Sequence, residues 1–394
     1  MAGATAAGEL KAPPGPAAGA AATSEVRARV EPLAVLAPDD DAALRALLRR
    51  SVVPGAVRLA FTREPSYALG EGIAGGRDHL VVARRGAAIV GMGRCSVRTL
   101  FRNGEPQRVA YLGELRLDEG ARRGAALLRD GYRLLADAVA PEGIGACFTS
   151  IADDNARART VLEHGALLGL PRYAPVARLV TMVAPVARGA RAAAGGSGGH
   201  CHQAVDAGID AIAAFLARGA AQHHLALPWS ATHVAALVAH GVTPADFVVL
   251  ERNGAIAAVA AIWDQRPFRQ VRIDGYGGAL RGTRPLANLM LRLSGRPALP
   301  APGAVLPQAA LLGATVATPD DWRALWPAVA HAAARRGVQW LTVARDARDP
   351  ELPVLHSLLH ARAYHTTLYD VALGGAGAAD AWDDRLVRPE VGLL

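Results

Sequence analysis

The stretch YLGELRLDEGARRGAALLRDGYRLL, Tyr111 to Leu135, decides the fold. An apolar strand runs into a short loop holding two arginines and Gly124, and a helix follows at once, with Leu127, Leu128, Gly131, Leu134 and Leu135 at helical spacing. A helix that starts this way offers its first free backbone N–H groups and the positive end of its dipole to an anion. Ala125 and Ala126 are small enough to let that anion approach, and Arg122 and Arg123 add charge suited to a pyrophosphate. An ordinary strand-to-helix turn with solvated arginines has the same letters, so the surroundings must decide.

Outward from this stretch the chain repeats itself. LVVARRGAAIVG, Leu80 to Gly91, predicts two strands around an Arg-Arg-Gly turn, and VVLERNGAIAAV, Val248 to Val259, predicts the same around Arg-Asn-Gly. GIGACFTSI (Gly143 to Ile151) and GVQWLTVA (Gly337 to Ala344) each follow an Ala-rich helical run and have the pattern of buried strands. Each is followed by a short helix and a last strand, LVTMVAPV in one half and TTLYDVAL in the other. The first unit is expected to run strand, helix (Asp41 to Arg50), hairpin, strand (Val109 to Leu117), helix (Gly124 to Ala140), strand, helix (Asn155 to His164), strand. Two copies of one mixed α/β unit account for this order.

The small, flexible residues of Arg188 to Gly199, RGARAAAGGSGG, read as a linker between the copies. The expected division is a disordered tail over 1–24, a first unit over 25–187, a linker over 188–200, a second unit over 201–376 and a tail over 377–394. A chain of 394 residues exceeds what one core usually supports, which agrees with two units.

Composition removes several function classes. The net charge of +8 is carried by arginine, with Lys11 the single lysine. The arginines are scattered and aromatics make up only 5%, so the basic stripe with stacked aromatics of a nucleic-acid binder is not expected. Cys95, Cys147 and Cys201 form no disulfide framework, which fits a reducing, cytoplasmic setting. The Ala/Gly/Pro-rich start lacks the apolar core of a signal peptide, and no apolar run is long enough to span a bilayer, so no membrane partner is expected.

The loop ARRGAA, Ala121 to Ala126, resembles the acyl-CoA signature loop of the GNAT N-acetyltransferase superfamily, with Gly124 and Ala126 in place and Ala121 where Gln or Arg is usual. NARARTVLEHG, Asn155 to Gly165, resembles the helix that follows the family's fifth strand. The resemblance covers about Val26 to Val186 and implies two tandem GNAT-like domains, α/β (α+β) in class, each a mixed, mostly antiparallel sheet flanked by helices. It implies acetyl-CoA in a V-shaped opening between the fourth and fifth strands. Leu115, Arg116 and Leu117 would hold the pantetheine arm, Arg122, Arg123, Gly124, Ala125 and Ala126 the pyrophosphate, and Asn155 would lie beside them. Glu114 takes the place where many GNAT proteins keep a general base. Leu162 stands where they keep an acidic tyrosine, leaving Tyr173 or water to carry that proton.

The second copy has ATVATPDDW, Ala314 to Trp322, in place of the loop, without glycine or arginine and with two carboxylates that would repel a pyrophosphate. It is expected to be degenerate. GEGIAG (Gly70 to Gly75) and GGSGG (Gly195 to Gly199) match nucleotide and nucleophile motifs only literally, lacking the strand and helix those motifs require. His200, Cys201 and His202, and His356 with His360, do not supply four convergent ligands, so no metal is expected. The expected protein is thus an N-acetyltransferase, monomer or homodimer, acting on a small-molecule or peptide amine. The alternatives are a non-catalytic acyl-CoA-binding sensor or scaffold and an aminoacyl transferase, the latter wanting a basic groove that the sequence lacks.

Overall fold

The computed structural model describes residues 28–118, 124–193, 200–203, 208–294, 297–374 and 381–394. In the first half these are β1 (Arg29–Pro32), α1 (Pro38–Arg50), β2 (Val52–Val53), β3 (Val57–Thr62), β4 (Arg77–Arg85), β5 (Ala88–Arg102), β6 (Glu105–Leu117), α2 (Gly124–Val139), β7 (Ala146–Ala152), α3 (Ala156–Glu163), β8 (Tyr173–Pro185) and α4 (Val186–Ala193). The second half holds β9 (His200–Gln203), α5 (Ile209–Ala220), β10 (His223–His224), α6 (Ala231–Val238), β11 (Phe247–Arg252), β12 (Ala255–Trp263), β13 (Gln270–Tyr276), α7 (Leu280–Leu293), β14 (Gln308–Val316), α8 (Asp321–Arg335), β15 (Trp340–Asp346), α9 (Leu352–Leu359), β16 (Arg362–Val371) and β17 (Leu386–Val387).

Local chemistry explains the main elements. Helix α1 opens on Pro38 with Asp39, Asp40 and Asp41 in its first turn and closes on Arg49 and Arg50, so both ends suit the dipole, while Leu44, Leu47 and Leu48 form its buried face. Strands β5 and β6 turn at Asn103 and Gly104, both at positive φ, the conformation that an Asn-Gly hairpin needs. Sequence patterning located the β4–β5 hairpin but missed this longer one, because Arg94, Arg98 and Arg102 interrupt its apolar run.

The two units do not keep separate sheets. One twelve-stranded sheet runs in the order β1-β4-β5-β6-β7-β16-β8-β15-β14-β12-β11-β9, and its order is pseudo-symmetric about the β16–β8 pair. The last strands are exchanged. Strand β16 of the second half lies between β7 and β8, and β8 of the first half lies between β16 and β15. Pairing of β13 with β3 ties the halves together a second time. Beyond the sheet, the segment read as a linker begins as α4, which continues to Ala193; residues 194–199 lie outside the described residues. The segment read as a C-terminal tail is packed where described, with β17 paired to β10 and Leu393 buried.

Candidate active site

The site begins with a splay in the sheet. Strand β6 pairs with β7 only over Val109–Tyr111 against Ala146–Phe148, after which the two strands diverge. At the point of divergence the Thr149 hydroxyl donates to the Leu112 carbonyl at 2.7 Å. A bulge opens β6 further: between Gly113, paired with Arg94, and Arg116, paired with Met92, two residues face one, and Glu114 sits at φ 53°. A side chain in that left-handed region costs on the order of 1 kcal/mol, so something must hold Glu114 there.

Charge holds it. Arg63 donates through Nε and Nη2 to Glu114 Oε1 at 2.8 and 2.5 Å, and the Tyr67 hydroxyl donates to Oε2 at 2.6 Å. Arg94 Nη1 stands 3.6 Å from the same carboxylate, while its Nε donates to Asp78 and Ser96. Burial acts to raise the Glu114 carboxyl, and the charges of Arg63, Arg94 and Arg269 with the Tyr67 hydrogen bond overcome it, holding the group well below the usual carboxylate range. Burial, with Arg63 and Arg94 as like-charged neighbours, pushes the Arg269 guanidinium down to about 9. Arg269 comes from the second half and donates to the carbonyls of Gly392 and Leu394 at 3.1 and 3.0 Å.

The space enclosed is a cleft of about 430 Å³ lined by both halves. Leu112, Leu115, Leu117, Leu127 and Leu128 give it apolar walls, Asn155 and Ser150 stand on the β7 side, and Leu393 and Leu394 reach it from the C-terminal segment. Leu115 is the second residue of the bulge and Arg116 follows it, and Gly124, Ala125 and Ala126 form the first turn of α2. A Cβ on Gly124 would come within 3.0 Å of the tip of Leu117, so the helix start sits close against the end of β6. Arg122 and Arg123 lie outside the described residues. Asn155 caps α3, its Oδ1 accepting from the Ala158 N–H at 3.2 Å.

Tyr173 is on the cleft wall but turned into the protein. Its hydroxyl lies 2.5 Å from that of Tyr132, its ring is edge-on to Tyr132 and Tyr369, and burial with the neighbouring Tyr132 pushes its proton affinity well above the usual phenol range. Leu162 is buried on the same wall. Of the residues the sequence singled out, Glu114, Leu115, Arg116, Leu117, Asn155 and Tyr173 line the cleft, whereas the residues that surround Glu114 were missed. Arg63, Tyr67 and Arg269 carry no local pattern; Arg94, a charge inside the apolar run GMGRCSV, was the one available signal.

The second half repeats the splay and fills it. Strand β14 pairs with β15 only over Gln308–Ala310, and a bulge places Gly313, at φ 59°, where β6 has Glu114. Both oxygens of Glu390 accept from the Gly313 N–H at 3.1 Å, and burial pushes that carboxyl up to about 7. Beside it Arg345, Arg388, Asp349 and Glu351 form a buried ion network, leaving a cavity of about 20 Å³. The degenerate copy is thus closed by the chain's own C-terminal segment, a reason the ATVATPDDW loop alone did not reveal. Among the described residues no cluster of three or more metal-ligating side chains occurs, and no helix is long and apolar enough to cross a membrane.

No protein-family model matches the chain, and no curated protein matches it. Solved structures do. A tandem GNAT protein from the clavulanic acid biosynthesis pathway superposes with a TM-score of 0.53 at 12% identity, over 90% of this chain and 100% of that one. The N-myristoyltransferase of Saccharomyces cerevisiae with bound myristoyl-CoA superposes with a TM-score of 0.56 at 11% identity, over 91% of this chain and 89% of that one. At such identities the likeness is one of fold, and it extends through both halves: the chain has the tandem GNAT fold.

Proposed function

We propose that this chain is an acyl-CoA-dependent N-acyltransferase with one active cleft, in its first half, that moves acetyl from acetyl-CoA to a primary amine. The carrying observation is the contrast between the two splays, one open at about 430 Å³ and one closed at about 20 Å³ by Glu390 and its neighbours. The open cleft suits an acyl-pantetheine: leucines line it, the bulged strand leaves its backbone facing the space, and the first turn of α2 stands at the end of β6 for a phosphate. One structural neighbour, the N-myristoyltransferase with bound myristoyl-CoA, is by name an N-acyltransferase, which supports the reading.

In this reading the amine nitrogen attacks the thioester carbonyl, the N–C bond forms, the C–S bond breaks, and CoA leaves as a thiolate. The amine's proton passes to water in the cleft and another returns to the thiolate. Glu114 is too weakly basic to take it, being held as an anion by Arg63 and Tyr67, and it acts as the anchor that fixes the bulge. Rate then comes from alignment of donor and acceptor. A second reading, acyl-CoA binding without transfer, is favoured by the Tyr173 hydroxyl being engaged with Tyr132.

Calorimetry on the full chain with acetyl-CoA, myristoyl-CoA and free CoA tests the binding, and release of free thiol in the presence of an amine panel separates the readings. One site per chain is expected. No heat at millimolar acyl-CoA from folded protein would sink both. Titration of the first unit alone is not informative, because it lacks β16 beside β7.

A further inference from the structure

Among the described helices of the second half, α7 is the one with no buried residue along its length. Its inward side is tied down: Arg284 stacks on Tyr276 and donates to the Leu299 carbonyl, and Asn288 bonds both the N–H and the carbonyl of Leu299. Its outward side is apolar. Leu286, Leu289, Met290 and Leu293 fall at i, i+3, i+4 and i+7 and are exposed by 62, 54, 61 and 75%. Four large apolar side chains in one stripe exceed the single exposed leucines of an ordinary surface.

Charge selects what covers the stripe. From 275 to 319 the sequence contains no Asp or Glu and four arginines, Arg281, Arg284, Arg292 and Arg296. By helical spacing Arg281 and Arg292 flank the stripe on the Leu289 side; both are exposed, and neither has an ion-pair partner among the described residues. A second copy laid helix to helix would bring these like charges together. An anionic bilayer surface meets both features, taking the leucines into its interfacial layer and the arginines onto its phosphates.

We infer that α7 is an interfacial membrane-binding helix that seats the protein on anionic phospholipid with Leu286, Leu289, Met290 and Leu293 in the headgroup layer. This reverses the expectation of no membrane partner, and it needs no spanning segment, since a helix lying on the surface buries one face only. It stands independently of the acyltransfer chemistry.

Flotation of the full chain with vesicles of phosphatidylcholine and phosphatidylglycerol in equal parts, against phosphatidylcholine alone, tests it. Binding to the mixed vesicles is expected, weakening with salt. Arg281→Gln with Arg292→Gln should lower it roughly tenfold or more, at about 1 kcal/mol per arginine near the surface, and Leu289→Asp with Leu293→Asp should abolish it. All four positions are exposed, so unchanged melting temperatures verify folding. The inference is overturned by absence of vesicle binding, by equal binding to neutral vesicles, by binding that survives the aspartates, or by a dimer that the aspartates dissociate while vesicles go unbound.

Discussion

Replacing Glu114 with Gln separates an anchor from a base. The side chain keeps its shape and loses its charge, while Arg63, Arg94 and Arg269 keep theirs in the floor of the cleft. Removing one partner from a buried ion pair costs about 3–5 kcal/mol, and at roughly 2–4 °C per kcal/mol for large domains the melting temperature at neutral pH should fall on the order of 10 °C. The sign with pH is fixed. A carboxyl held below its unfolded value of about 4.3 contributes its full stability above that pH and loses it as pH falls toward the folded value. The gap between wild type and Glu114→Gln should therefore be widest at neutral pH and shrink below about pH 4. Melting curves at several pH values, with turnover measured on the same preparations, give the answer. A gap that stays constant down to the acid limit would refute the charge argument. Undiminished stability with turnover reduced a hundredfold or more would make Glu114 the base after all.

Three further changes follow from the same geometry. Gly124→Asp sets a carboxylate at the first turn of α2, its Cβ meeting only the flexible tip of Leu117, so acyl-CoA affinity should drop roughly tenfold or more with little change in melting temperature; calorimetry reads the first and calorimetric melting the second. Tyr173→Phe leaves the Tyr132 hydroxyl unpaired in the core and should cost about 1–3 kcal/mol, with turnover within severalfold of wild type; loss of turnover at full stability would return Tyr173 to the proton path. Glu390, with its carboxyl raised to about 7 by burial, favours the fold most when protonated, so its contribution is full below the unfolded value and is lost as pH rises through 7. Glu390→Gln should therefore melt above wild type at alkaline pH and near it under mildly acid conditions, and the opposite ordering would refute this.

The sequence by itself determined what depends on neighbours along the chain. Periodicity in Gly124 to Leu135 fixed α2, the Arg-Arg-Gly and Arg-Asn-Gly turns fixed two hairpins, and the repeated order of elements fixed two units of one kind. The resemblance of ARRGAA and NARARTVLEHG to the GNAT loop and helix implied that Glu114, Leu115 and Asn155 share one opening, and all three line the cleft. Tertiary structure alone decided the rest. Exchange of β8 and β16 is invisible in sequence, since an apolar pattern marks each as a buried strand without recording which neighbour it pairs with. The chemistry of Glu114 was likewise undetermined: its proton affinity is set by Arg63 some fifty residues before it and Arg269 more than a hundred and fifty after it. The closing of the second splay rests on Glu390, which lies beyond every motif of its own unit. Pairings across such distances are selected by burial and charge in three dimensions, and a reading of adjacent residues has no access to them.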